Sequence, residues 1–392
     1  MARRVINFGV IGCGLMGREF ASAAARWAHL TDTETGKTLE FAPRIVAVCD
    51  VNPALMEWFT GNFDSVGFAT RDYRKLLERL EVEAVYCAVP HNLHARFYTD
   101  IIASGKHLLG EKPFGIDRTA NDEINAAIEN HPDVLVRCSS EFPFYPGAYQ
   151  LNRWIAAGRF GKIIEVEAGF WHSSDLDPNK PINWKRMIEI NGEYGCMGDL
   201  GLHVVHIPFR AGWMPRNVRA LLSNIVTERP DRDGNLVPCE TWDNAILACQ
   251  ADKDGQEFPM VLSTKRIAPG EMDTWFIKVF GTDFSAEYTT KFPRTIRTLA
   301  YQPGKPQSWN VEDIGYSSAY PAITGGIFEF GFPDAILQMW AAFCDELANG
   351  REGMGQPFYC ATPEEAKASH GLFTAALESQ AKRQTIPVGS GT

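Results

Sequence analysis

The stretch from Val5 to Gly17 constrains this chain more than any other. An apolar, β-rich run, Val5-Ile6-Asn7-Phe8-Gly9-Val10-Ile11, ends on Gly12-Cys13-Gly14-Leu15-Met16-Gly17 and passes into a helical segment. Each glycine has its own task in such a strand-to-helix turn. The first permits the tight turn, the second lets the backbone approach a pyrophosphate, and the third lets helix pack on strand, while the unpaired N–H groups of the helix start attract phosphate. A glycine triplet alone is weak evidence, but here it has a strand before it and a helix after it. Gly12, Gly14, Leu15, Met16 and Gly17 are therefore the expected cofactor contacts on the phosphate side of a dinucleotide.

The second strand ends in Val48-Cys49-Asp50. A carboxylate there accepts hydrogen bonds from both adenosine ribose hydroxyls and repels the additional phosphate of NADP, and Val51-Asn52-Pro53 offer no Arg or Lys to receive one. NAD is the expected cofactor, with NADP second. Asp50 lies further from the glycines than is usual because His29 to Pro43 reads as an inserted loop.

A chain of 392 residues is too long for one ordinary core, so two domains are expected. Through residue 140, short β-rich runs alternate with helical stretches, the pattern of a doubly wound parallel sheet. The strands are read at Val5–Ile11, Arg44–Cys49, Ala84–Val89, His107–Gly110 and Val134–Cys138. The helices are read at Arg18–Trp27, Tyr73–Leu80, Ala95–Ser104 and Thr119–Glu129. From residue 141 to 392 the rhythm changes. Long runs at Ile163–Trp171, Arg219–Val226, Thr241–Ala251, Pro259–Ile267, Thr274–Thr290 and Thr295–Tyr301 predict a large, mostly antiparallel open sheet in an α+β domain. Two helices, Pro333–Ala348 and Thr362–Gln380, close the chain. The second opens with Thr362-Pro363-Glu364-Glu365, which supplies partners for free helix N–H groups.

A net charge of -10 without a dense basic stripe argues against nucleic acid as a partner. No segment is long and apolar enough to span a bilayer, and Met1-Ala2-Arg3-Arg4 runs into the first strand too abruptly for a signal peptide. None of the nine cysteines forms a Cys-x-x-Cys pair, and several lie in apolar strands, so they read as buried thiols in a reducing compartment. A cytoplasmic enzyme is expected.

Three further constellations follow the glycine loop: Val89-Pro90-His91-Asn92-Leu93-His94 after the strand at 84, Glu111-Lys112-Pro113 after the strand at 107, and Gly198-Asp199-Leu200-Gly201-Leu202-His203 in the second domain. With the glycine loop, this ordered set resembles the glucose–fructose oxidoreductase / inositol dehydrogenase / rhizopine catabolism (Gfo/Idh/MocA) family over nearly the whole chain. The resemblance implies that the loop carrying Pro90, His91 and His94 lines the nicotinamide side of the cofactor, and that the turn of Glu111 and Lys112 places its lysine beside nicotinamide and substrate. It gives His203 the role of acid/base on the substrate hydroxyl, with Asp199 bonding substrate or orienting and tuning the site.

The chemistry is coherent. An alcohol yields hydride only as its proton leaves, imidazole titrates near neutral pH, and an ammonium at Lys112 favours the developing alkoxide. Asp199 and His203 are four apart, hence neighbours on one helical face. A rival assignment makes Asp199, His203 and His206 ligands of a divalent metal, although the family's hydride transfer needs none. Further substrate candidates are His172, within Phe170-Trp171-His172-Ser173-Ser174-Asp175, and Trp184 and Lys185, within Asn183-Trp184-Lys185-Arg186. Polar groups beside an aromatic plane suit a sugar.

The expected activity is NAD-dependent oxidation of a ring secondary alcohol of a sugar, sugar derivative or cyclitol to a ketone. Two alternatives are a glycoside-cleaving or epimerising enzyme that uses tightly bound NAD for transient oxidation, and a non-catalytic sugar- or NAD-sensing protein. Lys112 and His203 argue against a sensor, which needs neither. The resemblance further implies a homo-oligomer, dimer or tetramer, formed through the second-domain sheet.

Overall fold

The computed structural model describes residues 3–32, 35–356 and 358–389. Met1 and Ala2, which the signal-peptide reading included, lie outside them, as do Thr33 and Glu34 of the expected inserted loop. Two compact units form, each with its own sheet.

The first unit is doubly wound. Strands β1 (Arg4–Ile11), β2 (Phe41–Cys49), β3 (Phe68–Thr70), β4 (Ala84–Cys87), β5 (His107–Gly110) and β6 (Val136–Cys138) make one sheet in the order β3-β2-β1-β4-β5-β6, and every pairing is parallel. Strands buried on both faces read as continuous apolar runs, which is why β1, β2 and β4 were legible. The sequence reading missed β3, an edge strand of three residues, and the helix Pro53–Asn62. That helix carries its own start signal: Asn52 accepts from the Ala54 N–H at 3.2 Å and proline follows it.

The division at residue 140 is simpler than the one observed. The first unit runs to Phe144 apart from Ile116–Arg118, and then recovers Tyr316–Pro363 from the far end of the chain. The recovered helix Phe332–Asn349 brings Trp340 edge-on to Phe8 of β1 at 5.1 Å and to Trp27 at 6.0 Å. Arg137 of β6 forks onto the Glu346 carboxylate, and Cys138 donates its N–H to Ala361 O at 2.8 Å. The aromatic face of this helix buries large apolar side chains against the sheet, which draws a distant segment into the first unit.

The second unit is built on a nine-stranded sheet. Its strands are β7 (Ile163–Trp171), β8 (Met214–Ser223), β11 (Asn244–Lys253), β12 (Gln256–Lys265), β13 (Thr274–Gly281), β14 (Phe284–Thr289), β15 (Thr295–Ala300), β16 (Asn310–Asp313) and β17 (Ile386–Pro387), in the order β16-β15-β14-β13-β7-β12-β11-β8-β17; the short pair β9 (Glu228–Pro230) and β10 (Leu236–Pro238) stands apart. The sheet is mostly antiparallel, with β7 and β12 parallel. The expected single run Thr274–Thr290 is two strands, because the chain turns at Thr282-Asp283 and β13 pairs back on β14. Helix Cys196–Arg210, buried from Cys196 to Phe209, lies across β7, β11, β12 and β13.

Candidate active site

In the first unit the expected cofactor residues all lie where parallel strands end. The crevice of such a sheet opens at the switch between β1 and its two neighbours. The glycine loop behaves as its spacing requires. Gly12 has φ +91°, and a Cβ on it would meet Ala88 O at 2.3 Å; a Cβ on Gly17 would meet Gly12 O at 2.2 Å. These two glycines are demanded by the fold itself. A Cβ on Gly14 would meet nothing within 4 Å, so its space faces outward, where a ligand can use it. Gly14 also caps helix Leu15–Ala25 without a side chain, leaving the first N–H groups directed at that space. Leu15 is exposed and Met16 half-buried beside it.

Asp50 closes the other side of the loop. Its Oδ2 accepts from the Cys13 N–H at 2.8 Å and its Oδ1 from the Asn52 N–H at 2.8 Å, which orients the carboxylate at the end of β2. The residues thus fit a dinucleotide: a backbone cradle without side chains and a fixed carboxylate beside it. Burial and the Asp50 charge push the Cys13 thiol up to about 12, and Cys49 likewise, so both remain neutral. All nine thiols are unbridged and buried.

Pro90, His91 and His94 follow β4, but His94 is engaged by the protein. The Gly115 N–H donates to its Nδ1 at 3.3 Å, which puts the ring proton on Nε2, and that nitrogen donates to Val89 O at 3.0 Å. His94 is fully buried and ties the loop after β4 to the turn after β5. Whatever its part at the cofactor, His94 is thus a tether within the protein. His91 is also buried, its ring 5.5 Å from that of His94. Glu111 is held by Tyr86, whose hydroxyl donates to Oε1 at 2.6 Å, while Tyr98 donates to the Glu111 carbonyl at 2.8 Å. These bonds fix the turn from which half-buried Lys112 projects. The Lys112-Pro113 bond is cis.

In the second unit, Asp199 and His203 share a face of helix Cys196–Arg210, as expected, and are 0% and 2% exposed. Lys185 Nζ lies 2.9 and 3.0 Å from the two Asp199 oxygens, and Arg266 donates to Asp199 Oδ2. His203 packs edge-on against Phe170 at 5.6 Å, and Phe170 also meets His172 at 4.6 Å. Half-buried Trp184 lies under the Lys185 ammonium at 5.6 Å from its ring centre. Four expected residues, His172, Lys185, Asp199 and His203, thus share one cluster.

Arg266 went unread in the sequence. It sits just past β12, 67 residues beyond Asp199, and nothing local marks it except a charge ending an apolar strand. Burial and the Arg266 charge lower the His172 pKa to about 4, so its ring is neutral.

The metal assignment loses its carboxylate, since both Asp199 oxygens already accept from cations. His206 points elsewhere: its Nε2 lies 3.8 Å from Glu365, which Arg210 also grips, and burial, Arg210 and His203 hold its pKa well below the ordinary value. Among the described residues, no three His, Cys, Asp or Glu side chains converge as a metal site, and no helix is long and apolar enough to cross a membrane.

Residues 6–137 match the model of an oxidoreductase family with an NAD-binding Rossmann fold. Levoglucosan dehydrogenase of Pseudarthrobacter phenanthrenivorans is 25% identical over 231 residues, 58% of this chain and 57% of that protein. Inositol 2-dehydrogenase of Ralstonia nicotianae is 28% identical over 156 residues, 40% of this chain and 43% of that protein. The aligned stretches thus span about half the length of these relatives. Among solved structures, levoglucosan dehydrogenase in complex with NADH and L-sorbose superposes with a TM-score of 0.85 at 19% identity, covering 99% of this chain and 100% of that one. The likeness of fold extends through both units.

Proposed function

The chain belongs to the Gfo/Idh/MocA oxidoreductases, and from that premise we propose that it is an NAD-dependent dehydrogenase oxidising a ring secondary alcohol of a sugar, sugar derivative or cyclitol to the ketone. The observation that carries this reading is buried His203 on the same face of its helix as Asp199, one turn earlier, whose carboxylate is held by two cations. Such an arrangement suits proton removal from a bound hydroxyl. It supports a sensor poorly, because a sensor gains nothing from burying an acid/base group at cost.

When bound, NAD supplies the hydride acceptor. Gly12, Gly14, Leu15, Met16 and Gly17 would hold its pyrophosphate and Asp50 its adenosine ribose, with NAD preferred over NADP because Asp50 repels a ribose phosphate. Pro90, His91, Glu111 and Lys112 would border the nicotinamide side, His94 acting through the loop it tethers. His203 takes the hydroxyl proton, Lys112 stabilises the alkoxide, and Asp199 orients the site. His172, Trp184 and Lys185 would meet the remaining hydroxyls. The levoglucosan and inositol dehydrogenases named above support a sugar or cyclitol substrate.

The test is a panel of sugars, anhydrosugars and inositols assayed for NADH formation. At least one member should accumulate NADH, which also separates net oxidation from transient oxidation on a retained cofactor. Lys112→Ala and His203→Ala should each lower turnover by about 10²-fold or more with NAD binding kept. Normal turnover in both variants would end this mechanism. The unbridged thiols suit a reducing, cytoplasmic setting. Exposed Ile164 and Leu221 on β7 and β8 favour association of copies through the second-unit sheet, as dimer or tetramer, which sedimentation would measure.

A further inference from the structure

The charges around Asp199 form a chain that runs from the interior to the surface. Arg266 bridges two buried carboxylates: its Nη1 donates to Asp199 Oδ2 and its Nε to Asp175 Oδ2 at 2.7 Å, while Nη2 donates to Ser174 Oγ at 3.1 Å. On the other side of Asp199 stands Lys185. Along the chain, side-chain exposure is 0% at Asp175, 7% at Arg266 and 1% at Asp199, against 30% at Lys185. Only the lysine end is open enough to meet a ligand without rearrangement.

The charges are firmly held. Burial opposes ionisation of both Arg266 and Asp175, yet Asp199 and Asp175 keep the guanidinium above its ordinary pKa, and Arg266 outweighs burial to keep Asp175 below its own. A guanidinium is a planar fork, so engaging two carboxylates through different nitrogens fixes their relative placement in a way a flexible ammonium would not. Asp199 has both oxygens accepting from cations and is 1% exposed, so a substrate reaches Lys185 first. The effect of Asp199 is on where Lys185 stands.

We infer that Arg266, anchored by Asp175, is a positioning residue that acts through Asp199 to hold the Lys185 ammonium as the hydrogen-bond donor to a hydroxyl or ether oxygen of the sugar or cyclitol. The inference rests on the dehydrogenase reading above and assigns the substrate contact to Lys185 rather than to Asp199. Its signature is a defect in substrate binding, apart from chemistry and cofactor binding.

The experiment is steady-state kinetics on the best substrate of the panel, with NAD affinity measured separately by titration. Arg266→Gln keeps a polar side chain but loses fork and charge. It should raise the polyol KM about tenfold or more while kcat and the NAD affinity stay within about threefold. Lys185→Met should show the same pattern, and the double variant should add little to either single one, because both changes strike one contact. Arg266→Lys should recover part of the KM. If Arg266→Gln does not fold, the near-isosteric Asp175→Asn is read in its place.

An unchanged KM in these variants, a loss confined to kcat, or effects of Arg266→Gln and Lys185→Met that multiply independently would each overturn the inference. A wild-type protein silent on the whole panel would overturn the dehydrogenase reading and this inference with it. An active wild type with indifferent variants would overturn this inference alone.

Discussion

Asp50 and Cys13 are joined across the ends of two parallel strands: the Cys13 N–H donates to Asp50 Oδ2 at 2.8 Å, so the carboxylate at the end of β2 is oriented by the glycine loop that follows β1. Asp50→Ala removes both the loop's acceptor and the proposed ribose contact. A hydrogen bond to a charged group is worth about 1.5–3 kcal/mol, so NAD affinity should fall roughly 10- to 150-fold and the preference over NADP should narrow. Titration of both cofactors checks this. Unchanged selectivity would remove Asp50 from the ribose site.

Two glycines of one loop should respond in opposite ways to the same methyl group. Gly17→Ala sets a Cβ 2.2 Å from backbone, while Gly14→Ala sets one in open space. The first should cost about 1–3 kcal/mol of stability. The second should leave the unfolding midpoint unchanged and weaken NAD roughly tenfold, equivalent to about 1.4 kcal/mol. Denaturant unfolding and cofactor titration on the two variants give the contrast; equal stability losses would refute it.

Trp340 is fully buried against Phe8 and Trp27, more than 300 residues away in the chain. Trp340→Ala should destabilise the protein by about 3–5 kcal/mol. For the same reason, a fragment ending at residue 144 should fail to give a cooperative unfolding transition. A stable fragment would mean that the returning helix is dispensable.

His172 provides a pH dependence whose sign can be fixed. Its pKa is about 4 in the folded protein against 6.5 for the free side chain, first through burial and then through the Arg266 charge. Protons therefore bind the unfolded chain more tightly. Stability should be fully present above about pH 6.5, decline as pH falls toward 4 and level off below, a loss on the order of 3 kcal/mol. His172→Gln should lack this component, so unfolding curves taken across the range should converge with those of the wild type at low pH. Parallel curves would contradict the assignment.

Much of the site was legible because its signals are local. A glycine loop, a strand-end carboxylate and an Asp-x-x-x-His pair each lie within a few residues, and each needs only one turn or one helix to acquire meaning. The tie that His94 makes was illegible for the complementary reason: its partner Gly115 lies 21 residues away, on the turn after the next strand. Arg266 was invisible, since its partners Asp199 and Asp175 lie 67 and 91 residues away.

The sequence by itself determined the parallel dinucleotide unit, the order of its motifs and the helical face shared by Asp199 and His203, because backbone periodicity and glycine sterics act at short range. Tertiary structure alone decided that Tyr316–Pro363 completes the first unit, and that Asp199 is spent on Arg266 and Lys185. Both outcomes depend on burial. Apolar area and buried charge are settled only when distant segments exclude water together, and no short stretch of chain records which segments those will be.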